Sequence, residues 1–207
     1  LAGLRALAAD PDTKVIVLIS KPPAPEIAQR ILAEARRAGK PVVVNFLGAD
    51  AAAVSGGNLH AAYTLEDAAR AAVALAEGRP PGQAPQPAAA GSPPKLAPEQ
   101  RYVRGLYSGG TFCYEATLLL LEAGIGEVRS NTHVGRARDL ADPWRSEGHT
   151  LVDLGDDVFT RGRPHPMIDP RLRSEHVQAA AADPSTAVIL LDVVLGYGSN
   201  PDPVGAL

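Results

Sequence analysis

Ala8-Ala9-Asp10-Pro11-Asp12-Thr13-Lys14-Val15-Ile16-Val17-Leu18 recurs near the other end of the chain as Ala181-Ala182-Asp183-Pro184-Ser185-Thr186-Ala187-Val188-Ile189-Leu190-Leu191. Each copy reads as a helix end, a turn built on Asp-Pro, and a run of β-branched and aliphatic residues, the rhythm of an α/β fold. Such junctions are common in α/β proteins in their own right. Duplication of a whole α/β module is the sharper reading.

Outward from the first copy, Lys14–Ser20 predicts a central parallel strand covered on both faces, as continuous apolar runs do. Helical spacing of Ile27, Ile31, Leu32 and Ala35 follows over residues 25–38, and Gly39 stops it. Residues 41–47 (PVVVNFL) supply the next strand, which makes a β-α-β unit. Thr64 with Asp67 resembles a capping box opening a helix through Ala76. Outward from the second copy, strands are expected at residues 103–107, 150–154 and 187–194, and helices at 111–123 and 170–182. Residues 79–97 (RPPGQAPQPAAAGSPPKLA) concentrate Pro, Ala and Gly and read as a semi-extended linker, because they hold too little apolar surface to offset their ordering entropy. The expected architecture is therefore α/β with two parallel-sheet modules. Because Leu1 already reads as helix interior and the second copy lies near the other end, both modules are expected to be truncated.

Composition narrows the function. The 207 residues carry 20 Lys+Arg against 23 Asp+Glu, a net charge of −3, so the broad basic field used for nucleic acids is missing. No apolar run approaches the roughly 20 residues of a membrane helix. One cysteine, Cys113, cannot form an intrachain disulfide or a metal cluster, and without a secretory signal the simplest compartment is a reducing cytoplasm. No metal site is expected. Sheet edges and apolar faces left open by half-modules point to an oligomer or partner subunits.

Two segments carry candidate chemistry. In Gly105-Leu106-Tyr107-Ser108-Gly109-Gly110-Thr111 a strand runs into glycines that open a helix, a junction whose N–H groups and dipole suit an anion. Ser108, Gly109, Gly110 and Thr111 are the candidate phosphate or anion ligands; an ordinary turn capped by Ser108 or Thr111 is the alternative. After the strand ending at Asp153 comes Arg161-Gly162-Arg163-Pro164-His165-Pro166. Arg161 and Arg163 could clamp a phosphate or carboxylate, and His165 could act as acid, base or phosphoryl acceptor. A solvated loop with internally paired charges is the alternative there. Cys113, in the first turn of the glycine-led helix, reads as packing. His60, His133, His149 and His176 read as structural or surface groups. Trp144 and Arg145 suggest a lid or an interface.

The segments GLYSGGTFCYEA, GHTLVDLGDDVFTRGRPHPMIDP and DPSTAVILLDVVLGYGSNPDP resemble the FdrA-type branch of the acyl-CoA synthetase (NDP-forming) superfamily, relatives of succinyl-CoA synthetase. The resemblance implies flavodoxin-like modules: residues 1–78 as the C-terminal part of an alpha-like CoA-ligase domain, 79–97 as linker, and 98–207 as a beta-like CoA-ligase domain. It further implies a phosphorylated, carboxylate or carbamoyl intermediate held at a helix N-terminus. Gly109, Gly110 and Thr111 would fall at that helix start, and Asp153 at the end of the family's LDVGG-like strand. Coenzyme A and a nucleotide are the implied cofactors, although domains to hold them are not visible in this sequence. The implied partners are a small carboxylate, an acyl-CoA or carbamoyl phosphate. The family's Gly-His-Ala-Gly-Ala phosphohistidine motif has no counterpart in GADAAAVSGGNLHAAYTLEDAA. An oxamate carbamoyltransferase-type subunit and a non-catalytic scaffold subunit are therefore the alternatives.

Overall fold

A computed structural model describes residues 1–82, 92 and 95–207. The chain divides into two compact units, Leu1–Gly91 and Ser92–Leu207. Of the segment expected to be a linker, residues 83–91, 93 and 94 lie outside the described residues.

In the first unit the order is α1 (Ala2–Ala9), β1 (Ile16–Ser20), α2 (Pro25–Arg36), β2 (Val42–Phe46), α3 (Ala51–Val54), β3 (Leu59–Ala61) and α4 (Leu65–Ala76). The three strands are parallel in the order β1-β2-β3. Alternation along β2 sends Val42, Val44 and Phe46 to Leu4, Leu32 and Val54 on one face, while Val43 meets Ala68 and Ala71 of α4 on the other. Thr64 and Asp67 do form a reciprocal capping box at the start of α4.

The structure moves the expected central strand. β1 lies at the edge of its sheet and begins at Ile16, and the middle position belongs to β2, buried at all five residues. Only Ile16 of β1 is buried, while Val17 and Ile19 are 38% and 50% exposed. A β-branched run reports strand propensity, and does not report how many faces the rest of the fold covers.

The second unit contains β4 (Tyr102–Tyr107), α5 (Gly110–Glu122), β5 (Val128–Ser130), β6 (Arg138–Asp139), β7 (His149–Asp153), α6 (Asp157–Thr160), α7 (Arg171–Ala182) and β8 (Thr186–Leu191). All pairings are parallel, in the order β6-β5-β7-β4-β8. Leu106, Val152 and Leu154 face α6 and α7 through Phe159 and Ala180. Tyr107 and Leu151 face α5 through Cys113 and Leu121. Helices thus cover both faces of each sheet, as the α/β reading requires. β8, the strand of the second repeat copy, is also at an edge. β5 and β6 are too short, at three and two residues, to stand out in the sequence, so the strand expected second is β7.

Gly105 is fixed by packing. A Cβ there would lie 2.6 Å from the Tyr107 ring and 2.9 Å from Leu151 Cγ, so only glycine lets these side chains close over β4. Among the described residues no helix is long and apolar enough to cross a membrane.

Candidate functional site

The carboxyl ends of β4, β5, β7 and β8 bring together most of the residues on which chemistry could rest, in the place where open parallel sheets bind ligands. After Tyr107 the chain passes through buried Ser108 to Gly109, whose extended backbone (φ −134°, ψ 134°) turns it into α5 without a side-chain cap. Two donors there are already taken. Ser108 N–H and Gly109 N–H donate to the Asp192 carboxylate, at 2.7 Å and 3.1 Å, from just beyond β8. Arg173 of α7 completes the knot: its Nη1 donates to Ser108 Oγ at 2.8 Å, to Asp192 Oδ1 at 3.0 Å and to the Asp192 carbonyl at 2.6 Å. Among the described residues its Nε has no hydrogen-bond partner.

Beyond this knot, Gly110 and Thr111 occupy the first two positions of α5, and no described residue accepts from their N–H groups. They are the orphan donors that every helix start leaves open. The glycine-led junction therefore offers fewer donors than its sequence suggests, because the protein's own Asp192 fills the position at Gly109.

The end of β7 approaches the same place. Asn131, next after β5, brackets the Asp153 backbone by donating from Nδ2 to its carbonyl at 2.9 Å and accepting its N–H at Oδ1 at 2.8 Å. Leu154 N–H donates to the Tyr107 carbonyl at 2.8 Å, which ties the two strand ends together. Asp153 Oδ1 accepts from Gly155 N–H at 2.9 Å. A Cβ on Gly155 would lie 2.5 Å from His165 Nε2, 2.7 Å from the Ser108 carbonyl oxygen and 3.1 Å from Asp153 Oδ1. Three polar groups from three segments thus converge over one glycine. His165 Nδ1 accepts the Met167 N–H at 3.2 Å, so the neutral ring carries its proton on Nε2 and presents a donor toward that convergence.

The two arginines of the same loop turn elsewhere. Arg161 pairs with Asp157 at 3.9 Å, both side chains more than 80% exposed. The Arg163 guanidinium sits 5.4 Å over the Trp144 ring and lines a cavity of about 340 Å³ with Asp169, Arg171 and Glu175. Trp144 packs edge-on against Phe159 at 4.8 Å. Among the described residues no hydrogen bond or ion pair joins Arg161 or Arg163 to the start of α5.

Several other groups are structural. Cys113 is buried, with Sγ 3.9 Å from Ser130 Oγ. Burial above all, and then the neighbouring ionisable groups of Cys113, Asp192 and Glu115, push the Tyr107 phenol far above its ordinary range. His149 accepts from Val103 N–H at 3.2 Å, and burial lowers its pKa. Burial also lowers the pKa of His176, which lies against Phe159 and Trp144. His133 is exposed and pairs with Asp139 at 2.9 Å. Among the described residues no cluster of His, Cys, Asp or Glu could hold a metal ion.

Sequence reasoning missed Asn131, Gly155, Arg173 and Asp192. Asp192 had a signal, a carboxylate closing an apolar strand where ligands bind. Arg173 had none, since its helix carries Arg171 and Glu175 nearby and gives no hint of which side chain turns inward.

Residues 106–207 match the family model described as CoA-ligase. The whole chain is 43% identical, over 210 residues, to the uncharacterized protein YahF of Escherichia coli (strain K12), and the alignment covers 41% of that protein. The chain thus spans about two fifths of the length of this relative. Residues 106–207, most of the second unit, are thus similar to the CoA-ligase family, over about half of the chain.

Proposed function

We propose that the protein belongs to an FdrA-type, acyl-CoA synthetase-like assembly and holds a phosphorylated, carboxylate or carbamoyl intermediate at the start of α5. One observation carries this reading: the open N–H groups of Gly110 and Thr111 lie at the strand carboxyl ends, where His165, Ser108 and Asp153 converge over Gly155. Residues 1–78 are read as the alpha-like ligase part, 79–97 as linker and 98–207 as the beta-like ligase part. The fit to CoA and nucleotide chemistry rests on one feature, two backbone donors suited to a phosphoryl or carboxylate oxygen. When bound, those cofactors would supply the activated phosphoryl and thioester groups.

This chain's own residues have separate tasks in that reading. Gly110 and Thr111 bind the anion through N–H groups strengthened by the helix dipole. The Asp192–Arg173 knot keeps Ser108 and Gly109 in the conformation that aims those donors outward. His165, with its proton on Nε2, donates a hydrogen bond to an oxygen on the ligand or to the Asp153 carboxylate and so orients the ligand. Arg161 and Arg163, at the loop's exposed end, attract an anionic ligand and are not direct ligands. An oxamate carbamoyltransferase-type subunit uses the same site with a carbamoyl group in place of an acyl group.

The test is binding of phosphate, carbamoyl phosphate and oxamate, read by calorimetry, to the protein and to Gly110→Pro. Proline is tolerated at a first helical position, and Gly109 is already extended as a residue before proline must be, so this change deletes one N–H and keeps the helix. A loss of roughly 10- to 100-fold is expected, the worth of one hydrogen bond to a charged group. Equal affinities would end this reading. Turnover that persists in His165→Ala at the original rate would remove His165 from the chemistry and leave the binding site standing.

A further inference from the structure

The two copies of the repeated junction feed equivalent strands, with Ile16 of β1 matching Ile189 of β8 and Leu18 matching Leu191. Both strands turn the same face to the helix before them. Ile16 packs in the cluster that holds Leu4 of α1 and Leu32 of α2, and Ile189 packs against the cluster that holds Ala180 of α7. Their neighbours differ. β2 is reached from β1 through α2 on that face, and β8 is reached from β7 through α7 on the same face, with β4 lying between β7 and β8. Crossovers between parallel strands are right-handed, which puts β2 and β4 on opposite sides of the repeated strand. The open edge of β8 is therefore the edge on which β1 already holds β2.

That edge is also unguarded. Natural sheets blunt their edges with short strands and with charge. The far edge of the same sheet obeys this rule: β6 has two residues, Arg138 and Asp139, and Arg138 pairs with Glu127 at 2.8 Å. β1, at an edge of the first sheet, is flanked by Lys14 and Lys21. β8 has six residues, Thr186-Ala187-Val188-Ile189-Leu190-Leu191, and no charge; Val188 and Leu191 are exposed, and so is Val193 just beyond. Such an edge is a template for another strand.

We propose that the open edge of β8 docks an apolar strand, added in parallel in the position that β2 takes on β1, and that this strand belongs to a part of the protein outside residues 1–207. Register follows from the first copy, where Ile16, Val17 and Leu18 pair with Val42, Val43 and Val44. Ile189, Leu190 and Leu191 take three successive apolar residues in the same way. Ile16 N–H donates to the Pro41 carbonyl, so the matching Ile189 N–H is the one that faces the open edge. β2 itself is enclosed by β1 and β3 and buried at all five residues, so it is not available to β8. β1 of a second copy, in matching register, would set the Lys14 ammonium beside Ala187 on an apolar edge. The chain spans about two fifths of its Escherichia coli relative, a protein with length to spare for such a strand. Docking within one polypeptide avoids the entropy cost of association. Neither the edge nor its occupant depends on an anion at α5.

A peptide of residues 40–47 (KPVVVNFL), the segment that fills the equivalent edge of β1, is the probe. Added in excess to the chain of residues 1–207, it should slow amide exchange at Ile189, read by NMR, about tenfold and leave β6 unchanged. In β2 the Val42 N–H donates to Asn58, so the Val43 N–H turns to β1; a Val43→Pro peptide, lacking that donor, should give no protection. Leu191→Lys, at an exposed edge position, should abolish protection while circular dichroism stays unchanged. In the full-length polypeptide Ile189 should be protected with no peptide added. Absence of protection by the peptide, or equal protection by its Val43→Pro form, overturns the docking edge. A chain of residues 1–207 that light scattering finds dimeric, with Ile189 already protected, puts a second copy on the edge and overturns the assigned occupant. Exchange at Ile189 as fast in the full-length polypeptide as in residues 1–207 alone overturns it as well.

Discussion

Arg173 and Asp192 form an ion pair of 3.0 Å in which the side chains are 2% and 3% exposed, and the same carboxylate holds the N–H groups of Ser108 and Gly109. A helix, an edge strand and the entry to α5 are thereby tied at one buried point. Charge is tolerated there because each carboxylate oxygen accepts a hydrogen bond and the guanidinium reaches three oxygen acceptors through one nitrogen.

Breaking that pair from one side leaves an uncompensated buried charge. Arg173→Met and Asp192→Asn should each destabilise the second unit by about 3–5 kcal/mol in urea denaturation. The double variant should lose less than the two singles together. Strict additivity would mean that the two side chains act independently.

Gly155→Ala places a methyl group against His165 Nε2 and the Ser108 carbonyl. Overpacking of this kind costs about 1–3 kcal/mol. Adding His165→Ala frees one of the two obstacles and should recover part of the loss. If Gly155→Ala melts with the unaltered protein, His165 does not rest over this glycine.

Gly105→Ala meets side chains in place of a site. Its Cβ would collide with Tyr107 and Leu151, so a similar loss is expected with ligand binding preserved at temperatures where the protein stays folded. A matching loss of phosphate affinity would contradict the separation of core from site.

Thr64→Ala removes the side chain that accepts from Asp67 N–H in the α4 capping box. The first unit should lose about 1 kcal/mol. Thr64→Ser should retain most of the stability, because the hydroxyl and not the methyl group makes the cap.

Acid titration should show two losses. Asp183 is held at about 2, chiefly by the Arg104 guanidinium and then by Ser185. Its folded-state pKa lies below the unfolded value, so its contribution is present above pH ~4 and disappears as pH falls toward 2. Its carboxylate is 34% exposed, and screening limits the amount to about 1 kcal/mol. His176 is shifted the same way by burial, and the unfolded chain takes its proton first as pH drops below ~6.5. Stability should therefore begin to fall on the acid side of neutrality. His149, also lowered by burial, adds to that first step, so His176→Phe should reduce it and not abolish it, and a profile unchanged by the substitution would assign the step to His149.

Sequence alone determined the features that depend on neighbours along the chain. The repeated Ala-Ala-Asp-Pro junction, the Thr64–Asp67 box and the glycine-led start of α5 rest on local hydrogen bonds or backbone freedom and are found where the residues placed them, while α2 ends at Arg36, two residues before the expected end, and the left-handed Gly39 (φ 65°) follows in the turn. The α/β class followed from the same local signals. Tertiary structure decided what depends on groups distant in sequence. It put β1 and β8 at sheet edges, because a strand's neighbours are chosen by the whole sheet and not by its own β-branched residues. It filled the Gly109 donor with Asp192, 83 residues away, and neutralised that carboxylate with Arg173. It turned Arg163 onto Trp144 and brought His165 over Gly155. Hydrogen-bond demand in a buried space selects the partner that can reach, and reach is a property of the folded chain.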